Sequence, residues 1–315
     1  IPIAIVAAVG AQMLLREVWS TARRRLDVRG AALVSLGLVS VVYGCSEADS
    51  HGWSSARVVS LLALGAALIA SFVVVESQVS QPLLPLRVVL DRARASAYLA
   101  VALSVIGMFG AFLFFTYQMQ IVMHYSPVLT GLAFLPMTGA ILISAGGIAS
   151  RLIAKVPPRA LMAPGLLIAA SGLFWASRLQ ADSSYVSVIL PVELLLGFGM
   201  GWVMAPAMNY ATYQVDPQDA GVASATVNTA QQIGASIGTA LLNTIATSGA
   251  ASYLASHAPS PSARPAALAA GFTDGFVVAA VVVTAAALIV ALLMNTPRPR
   301  RDVDTEAAAV PAGAR

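Results

Sequence analysis

Charged side chains are scarce in this sequence, where Asp, Glu, Lys and Arg together make up 10% of the 315 residues. A soluble globular domain usually carries about 25% charged residues, which cover its water-facing surface. Hydrophobic residues reach 58%, and the mean hydropathy is +0.81. The sequence therefore predicts an all-α integral membrane protein, for which lipid is the main solvent.

Cysteine is almost absent as well, since Cys45 is the single one in the sequence. One thiol excludes an internal disulfide framework and any zinc site built from several thiolates. The sequence also lacks the HExxH motif, the Walker A loop and paired cysteines. No metal, nucleotide or other cofactor is therefore expected.

One segment imitates an enzyme motif. Residues 234–238, GASIG, match the GxSxG nucleophile elbow of hydrolases. That elbow needs a strand-to-helix turn and a histidine partner. Here the segment lies inside a long helical run, and the three histidines fall in connecting loops or at their edges. The sequence therefore predicts no enzyme.

Hydrophobic stretches of transmembrane length recur along the chain. A helix rises 1.5 Å per residue, so crossing ~30 Å of hydrocarbon takes roughly 17 to 25 apolar residues. Residues 1–15 resemble the end of an earlier span, and because the chain begins at Ile1 we expect its front to be missing. The complete predicted spans are 30–46, 57–76, 97–122, 130–150, 160–178, 187–209, 222–247 and 273–295.

The basic residues are distributed unevenly between alternate connections. All but three of the 18 Lys and Arg residues fall in one set of connections and in the C-terminal tail. The other set holds Arg57, Arg178 and Arg264. The positive-inside rule then predicts a multi-pass protein of the cell membrane with a cytoplasmic C-terminus. Basic residues scattered in this way also argue against nucleic-acid binding, which needs them gathered on one face.

Polar segments divide the chain into groups of helices. Residues 77–96 are too polar to span a membrane, and their Leu and Val residues interleave with Arg and Asp, as in a segment lying on the membrane surface. The predicted organisation is a truncated span (1–15), a cytoplasmic loop (16–29), two helices (30–76), an interfacial linker (77–96), a six-helix bundle (97–295) and a disordered tail (296–315).

The span 222–247 carries a polar stripe. At 100° per residue, side chains spaced by four or three stay on one helix face. Amides facing lipid would lack hydrogen-bond partners, so this face must meet protein or water. We expect it to line a substrate cavity; the alternative is hydrogen bonding between helices without a substrate. The stripe consists of Ser224, Asn228, Gln232, Ser236, Thr239 and Asn243.

Glycines in two of the spans predict close helix packing. Gly234 and Gly238 form a GxxxG pair on a face other than the stripe, which suits contact with a neighbouring backbone. Gly197, Gly199 and Gly201 form GxGxG inside an apolar helix. A nucleotide site would need a preceding strand, so packing explains this motif better.

Glu193 is the acid that lies well inside a predicted span. A carboxylate within the membrane is costly and is by default a functional candidate, here for proton or cation binding. The alternative is an acid near the outer interface that reaches water. Glu76 and Asp274 lie at span ends, where we expect contact with water.

The span 97–122 ends with two glutamines, Gln118 and Gln120. Amides at the end of an apolar helix are suited to line the outer part of a cavity. We therefore add both to the predicted substrate site.

Several stretches resemble, in order along the chain, the fourteen-span drug–proton antiporters of the QacA/EmrB type within the major facilitator superfamily. They are RRRLDVRGAALVSLGLVSVVYG (23–44), HGWSS (51–55), QPLLPLRVV (81–89), YSPVLTGLAFLPM (125–137) and DPQDAGVASATVNTAQQIGASIGTALLNTIA (216–246). The last two are the most specific.

This resemblance implies that residues 1–15 end the sixth helix, that 30–76 are two extra central helices and that 97–295 are the second bundle. Its cavity helices would be 97–122, 130–150, 187–209 and 222–247. A weak remnant of the family's cytoplasmic loop motif, without its aspartate, is formed by Gly147, Arg151, Lys155 and Arg159.

The expected function is proton-coupled export of amphipathic drugs or toxic compounds by alternating access. The partners implied are the lipid bilayer, a small and often cationic substrate, protons, and the missing N-terminal helices of the same protein. One alternative is a dedicated exporter of one metabolite, antibiotic or lipid. Another is a truncated membrane protein that does not transport. The oligomeric state stays open.

Overall fold

The computed structural model describes residues 27–79, 91–153, 155–212, 220–258 and 263–294, together with six isolated positions (Val9, Gly10, Gln12, Val89, Val215 and Ser260). The predicted segment 296–315, all but three residues of 1–15, most of 16–29 and half of 77–96 lie outside these residues. They stay predictions.

All regular structure in the described part of the chain is helical, which confirms the predicted all-α bundle. The helices are α1 (Val28–His51), α2 (Ala56–Gln78), α3 (Arg92–Val122), α4 (Pro127–Leu152), α5 (Arg159–Ala176), α6 (Tyr185–Ala211), α7 (Ala220–Ser256) and α8 (Ala263–Leu293).

Seven of these helices are long and apolar enough to cross a membrane, and α7 is not among them. At 37 residues α7 has the length. Its amides and hydroxyls lower its hydropathy, so the predicted span 222–247 differs from the other seven in composition. It packs against α3 and α8, with further contacts to α1 and α6. A polar helix in such a bundle can meet protein instead of lipid on most sides.

Two helices extend well beyond their predicted spans. α7 continues to Ser256, and α8 begins at Ala263 rather than at residue 273. The added segments are rich in alanine, which is only mildly apolar but has the highest helix propensity. Hydrophobicity predicts only the part of a helix that lipid surrounds, whereas residues of high helix propensity can extend the helix beyond that part.

Three of the helices contain a π-helical turn. It lies at the end of α3 (Gln118–Val122), within α4 (Ile143–Ala149) and at the start of α6 (Tyr185–Ile189). α4 is also interrupted at Phe134, just before Pro136, which has no backbone N–H to donate. Such irregularities expose backbone groups that a regular helix would satisfy internally.

The helices alternate in direction, and this gives the bundle two ends. We call the end where α3 stops and α4 and α6 start the Gln118 end; the side-chain amide of Gln118 there donates to the Gln180 carbonyl at 3.2 Å. The opposite end, where α3, α5 and α7 start, is the Arg159 end. Six of the described basic residues lie there: Arg29, Arg92, Arg94, Arg151, Lys155 and Arg159.

Glu76 differs from its expected place in water. Its side chain is 3% exposed, and the first turn of α1 covers it, since a Cβ on Gly30 would lie 3.1 Å from Glu76 Oε1. The prediction for Glu76 is wrong. It rested on the position of Glu76 at the end of one span, which does not reveal that the neighbouring helix α1 covers this end. Asp274 is exposed, but it lies inside α8, eleven residues after the start of that helix, and not at its end as expected.

α7 meets the backbone of α3 at Gly234 and Gly238. A Cβ on Gly234 would overlap the carbonyl oxygen of Ala102, and one on Gly238 would lie 2.7 Å from the Cα of Ile106. Backbone atoms cannot move aside as a flexible side chain does. The two glycines therefore set how closely these helices approach.

We expect Gly234→Ala to lower the free energy of unfolding by about 1–3 kcal/mol, because overpacking outweighs the gain in helix propensity. Gly139→Ala is the matched control: its Cβ would meet nothing within 4 Å, so the propensity gain should leave stability unchanged or raised. Unfolding in detergent measures both. Equal stability of the two variants would contradict the close α3–α7 contact.

Candidate functional site

A cavity of about 350 Å³ lies between α1, α3 and α7. Four polar side chains and one aromatic ring face it, with two alanines completing the wall. The lining residues are Ser46, Phe109, Gln232, Ala235, Ser236, Thr239 and Ala240.

Three stripe residues, Gln232, Ser236 and Thr239, share this cavity because their spacing puts them on one face of α7. The Ser236 hydroxyl donates to the Gln232 backbone carbonyl at 2.9 Å, which satisfies the hydroxyl within its own helix. Gln232 and Thr239 are exposed in the chain. An amide and hydroxyls beside apolar surface are the usual composition of a small-molecule pocket.

α1 contributes a wall of the cavity that the sequence does not indicate. Ser46 lines the cavity near the end of α1. The connection from α1 to α2 is fastened to α7 by Trp53, whose indole N–H donates to the Thr244 hydroxyl oxygen at 3.1 Å. These contacts join residues about 190 positions apart, so no local pattern could have indicated them.

The remaining stripe residues lie outside the cavity lining. The side-chain amide of Asn228 donates to the Ser224 carbonyl at 3.3 Å, on the part of α7 nearer the Arg159 end. Asn243 is half-buried, one turn beyond Thr239.

The glutamines at the end of α3 are also separate from the cavity. Gln118 is 0% exposed and holds the end of α3 to the α5–α6 connection through its bond to Gln180. Gln120 is half-buried on the same π-helical turn.

Glu193 is completely buried on α6, 0% exposed. Its Oε2 lies 3.2 Å from the hydroxyl of Tyr185, and that hydroxyl lies 2.7 Å from the backbone carbonyl oxygen of Ala133 on α4. Glu193 Oε1 has no hydrogen-bond partner among the described residues. The sequence indicates Glu193 but not Tyr185, which lies eight residues earlier on a π-helical turn that regular helix periodicity does not describe.

Glycines bring α6 close to both of its neighbours. Cβ atoms on Gly197 and Gly201 would meet α4, the first at the Met137 carbonyl and the second 2.8 Å from the Ala145 amide nitrogen. A Cβ on Gly199 would lie 2.8 Å from the Ala169 amide nitrogen on α5. This close contact excludes space around the α4–α6 interface, in which Glu193 and Tyr185 meet.

The predicted loop motif falls around the α4–α5 connection. Gly147 lies in the π-helical turn of α4, where a Cβ would meet nothing within 4 Å. Arg151, Lys155 and Arg159 are exposed at the Arg159 end. They form a basic surface there.

A second cavity, of about 520 Å³, lies between α5 and α8. Its walls are almost entirely apolar, and the hydroxyls of Ser171 and Thr284 donate to carbonyls of their own helices. It offers no polar group to orient a ligand. In the described part of the chain, no group of three His, Cys, Asp or Glu side chains could hold a metal ion.

Residues 31–239, more than half of the chain, match the sequence profile of the Major Facilitator Superfamily. The chain belongs to the Major Facilitator Superfamily. It is therefore a multi-pass membrane protein of a transporter family and not an enzyme, as the sequence predicted.

Several proteins similar to this chain have names that refer to resistance or export. Puromycin resistance protein pur8 of Streptomyces alboniger is 45% identical over 246 residues, which are 78% of this chain and 49% of that protein. Cephamycin export protein CmcT of Amycolatopsis lactamdurans is 36% identical over 224 residues, 71% of this chain and 46% of that protein.

A multidrug resistance protein B homolog of Mycobacterium tuberculosis is 30% identical over 249 residues, 78% of this chain and 46% of that protein. The chain spans about half the length of the curated relatives it matches.

If the polar cavity admits water, a thiol facing it should react with a water-soluble maleimide. In a Cys45→Ala background, we expect Thr239→Cys to react at least about tenfold faster than Leu242→Cys, because reactivity follows exposure of the thiolate. Leu242 is one turn away on the same helix and 0% exposed. Equal rates in the folded protein would show that the cavity does not hold water.

Proposed function

We propose that the chain forms the C-terminal part of a fourteen-span, proton-driven exporter of small amphipathic compounds. The observation that carries this proposal is the polar cavity between α1, α3 and α7 in a bundle of largely apolar helices. Amides and hydroxyls in a membrane helix must meet protein or water, and a polar cavity between helices gives a substrate a place to bind. The names of the relatives, which refer to puromycin, cephamycin and multidrug resistance, support export as the direction of transport.

The cavity walls suggest what is bound. Phe109 offers a flat apolar surface, and Gln232, Ser236 and Thr239 offer both donors and acceptors of hydrogen bonds. This combination suits a compound with an aromatic part and several polar groups. A cationic centre, if the substrate has one, would find its counter-charge elsewhere, since the lining residues are uncharged.

Alternating access would proceed by movement of this bundle against an N-terminal bundle, with α1 and α2 as additional central helices. In this arrangement the protein lies in the cell membrane with the Arg159 end and the C-terminus in the cytoplasm. The six basic residues at that end support this orientation.

Glu193 is the proposed proton site. A buried carboxyl at the α4–α6 interface can bind and release a proton during the transport cycle, provided that the interface opens to each side in turn. Asn228, Asn243, Gln118 and Gln120 stay candidates for parts of the substrate path that the described cavity does not include.

The direct test is transport by the full-length gene product that contains this chain, in proteoliposomes with an imposed pH gradient. Puromycin serves as the substrate, with unrelated dyes as competitors. We expect efflux that stops when the gradient is collapsed. Efflux driven by ATP without a gradient would contradict the proposal, and efflux that no dye inhibits would favour the dedicated exporter.

In this assay we expect Glu193→Gln to reduce gradient-driven puromycin efflux to the level of protein-free liposomes, because the amide cannot bind a proton. Asp274→Asn is the matched control, since Asp274 is an exposed acid on α8, which packs on α3, α5 and α7. It should transport as the unchanged protein does. Full gradient dependence in the Glu193→Gln protein would exclude Glu193 as the proton site.

A further variant tests the cavity itself. Thr239→Val keeps the side-chain shape but removes the hydroxyl, and we expect puromycin binding to weaken about two- to tenfold, the usual effect of losing one hydrogen bond. In Thr247→Val, on an exposed part of α7 where the hydroxyl donates to the carbonyl of Asn243, binding should not change. Equal affinity of all three proteins would remove Thr239 from the site.

A further inference from the structure

The hydroxyl of Tyr185 lies between two oxygen atoms that belong to different helices. One is the Ala133 carbonyl oxygen on α4, at 2.7 Å, and the other is Oε2 of Glu193 on α6, at 3.2 Å. A phenol has one hydrogen to donate, although its oxygen can also accept a hydrogen bond. Tyr185 can therefore donate to only one of these two oxygens at a time.

The protonation state of Glu193 decides which of the two oxygens accepts the hydrogen of the Tyr185 hydroxyl. When Oε2 carries a proton, Glu193 donates to the Tyr185 oxygen and Tyr185 donates to Ala133, so both short contacts are hydrogen bonds. When Glu193 is ionised, it and the Ala133 carbonyl are both acceptors only. A bond to an ionised acceptor is roughly twice as strong as a bond to a neutral one. The carboxylate then takes the phenol hydrogen, and the Ala133 carbonyl loses its donor.

Ala133 is the last residue before the interruption of α4. The backbone bonds that cross this interruption are long: Phe134 N to Thr130 O and Thr138 N to Phe134 O are both 3.3 Å, beyond the usual 2.7–3.2 Å. Pro136 has no N–H and so contributes no bond. The ring of Phe134 stacks on Phe112 of α3 with centroids 4.5 Å apart.

The part of α4 that follows the interruption is held differently. It packs backbone to backbone on α6, where Gly197 and Gly201 allow close approach to Met137 and Ala145. The Tyr185 bond therefore fastens the loosely bonded residues of α4, whereas the glycine contacts fix the rest. Loss of the hydrogen bond from Tyr185 to the Ala133 carbonyl therefore loosens the interruption of α4 before the rest of that helix.

We propose that Tyr185 is a positioning residue that converts proton binding at Glu193 into a change in α4. With the proton bound, Tyr185 fastens α6 to the interruption at Ala133–Phe134; without it, this fastening is released and the first segment of α4 moves against α3 and α6. The inference rests on the proposed role of Glu193 as the proton site, and it names the structural change that such a site would cause.

Tyr185 is the titratable side chain in contact with Glu193 among the described residues. Tyr125, from the α3–α4 connection, is near enough to Tyr185 to interact with it electrostatically. Other titratable groups on the helices packed against α6 lie at the Arg159 end or point to other contacts. They are Arg92, Arg94, Tyr98 and Tyr117 on α3, Arg151 on α4, Arg159 on α5 and Tyr253 on α7.

The experiment combines two measurements on the full-length gene product in lipid nanodiscs over a pH series. Infrared difference spectra follow the C=O stretch of a protonated carboxyl, assigned to Glu193 by its loss in Glu193→Gln. Amide hydrogen exchange, measured on peptides that contain Phe134–Thr138, follows the interruption of α4. Every exchange rate is compared with that of Glu193→Gln at the same pH, which cancels the intrinsic pH dependence of exchange.

In the unchanged protein, we expect protection at Phe134–Thr138 to fall about tenfold as the Glu193 band disappears, which is the effect of one lost hydrogen bond of about 1.4 kcal/mol. Glu193→Gln should stay protected throughout, since the side-chain amide donates to the Tyr185 oxygen permanently. In Tyr185→Phe, protection at Phe134–Thr138 should be at the lower level at every pH. The Glu193 band should still titrate in this variant, at a higher wavenumber because the carboxyl has lost its hydrogen bond to the phenol. Tyr125→Phe is the matched control and should behave as the unchanged protein does.

Protection that still follows pH in Tyr185→Phe would overturn the role of Tyr185, even if Glu193 titrates and drives efflux. Absence of any titrating Glu193 band would overturn the proton site, and this inference with it. A titrating band with the expected exchange pattern, in a protein whose efflux ignores the gradient, would support the fastening by Tyr185 and contradict only the proton-driven function.

Discussion

A polar group surrounded by hydrocarbon must find its hydrogen-bond partner within the protein, and this constraint explains most of the arrangement described above. Many hydroxyls of the long polar helix α7 satisfy it locally: Thr226, Ser236, Thr244 and Thr247 each donate to a carbonyl of their own helix. Side chains that are longer, such as Gln232, cannot be satisfied so simply and face a cavity. The polar stripe, of which Gln232 and Thr239 are exposed, therefore requires water or further protein on this face instead of lipid.

The same constraint separates two sites with different chemistry. The cavity between α1, α3 and α7 contains neutral polar groups and an aromatic ring. The interface of α4 and α6 contains a buried carboxyl and a phenol, with little space around them. Contacts of α6 with α3 and α7 connect the two. The proposed proton site and the proposed substrate cavity are thus linked through packed helices, without direct contact between them.

Close packing and helix irregularity supplement each other in this bundle. Glycines bring α7 onto α3 and α6 onto α4 and α5 at positions where a Cβ would meet backbone. Between these fixed contacts, π-helical turns and the interruption at Phe134 leave carbonyls available for side chains. The Ala133 carbonyl is one of them, and Tyr185 uses it. Close contacts on either side leave these short segments as the places where the backbone is least tightly held.

The sequence by itself determined the membrane class, the number and order of the described helices, the stripe on α7 and the exceptional position of Glu193. These follow from composition and from helix periodicity, which are properties of single segments. Tertiary structure alone decided that Ser46 and Phe109 join the stripe, that Glu76 is covered by α1, that Gln118 holds a loop, and that Tyr185 stands between Glu193 and Ala133. Each of these depends on contacts between helices distant in sequence or on departures from regular helix geometry, and neither is recorded in the periodicity of one helix.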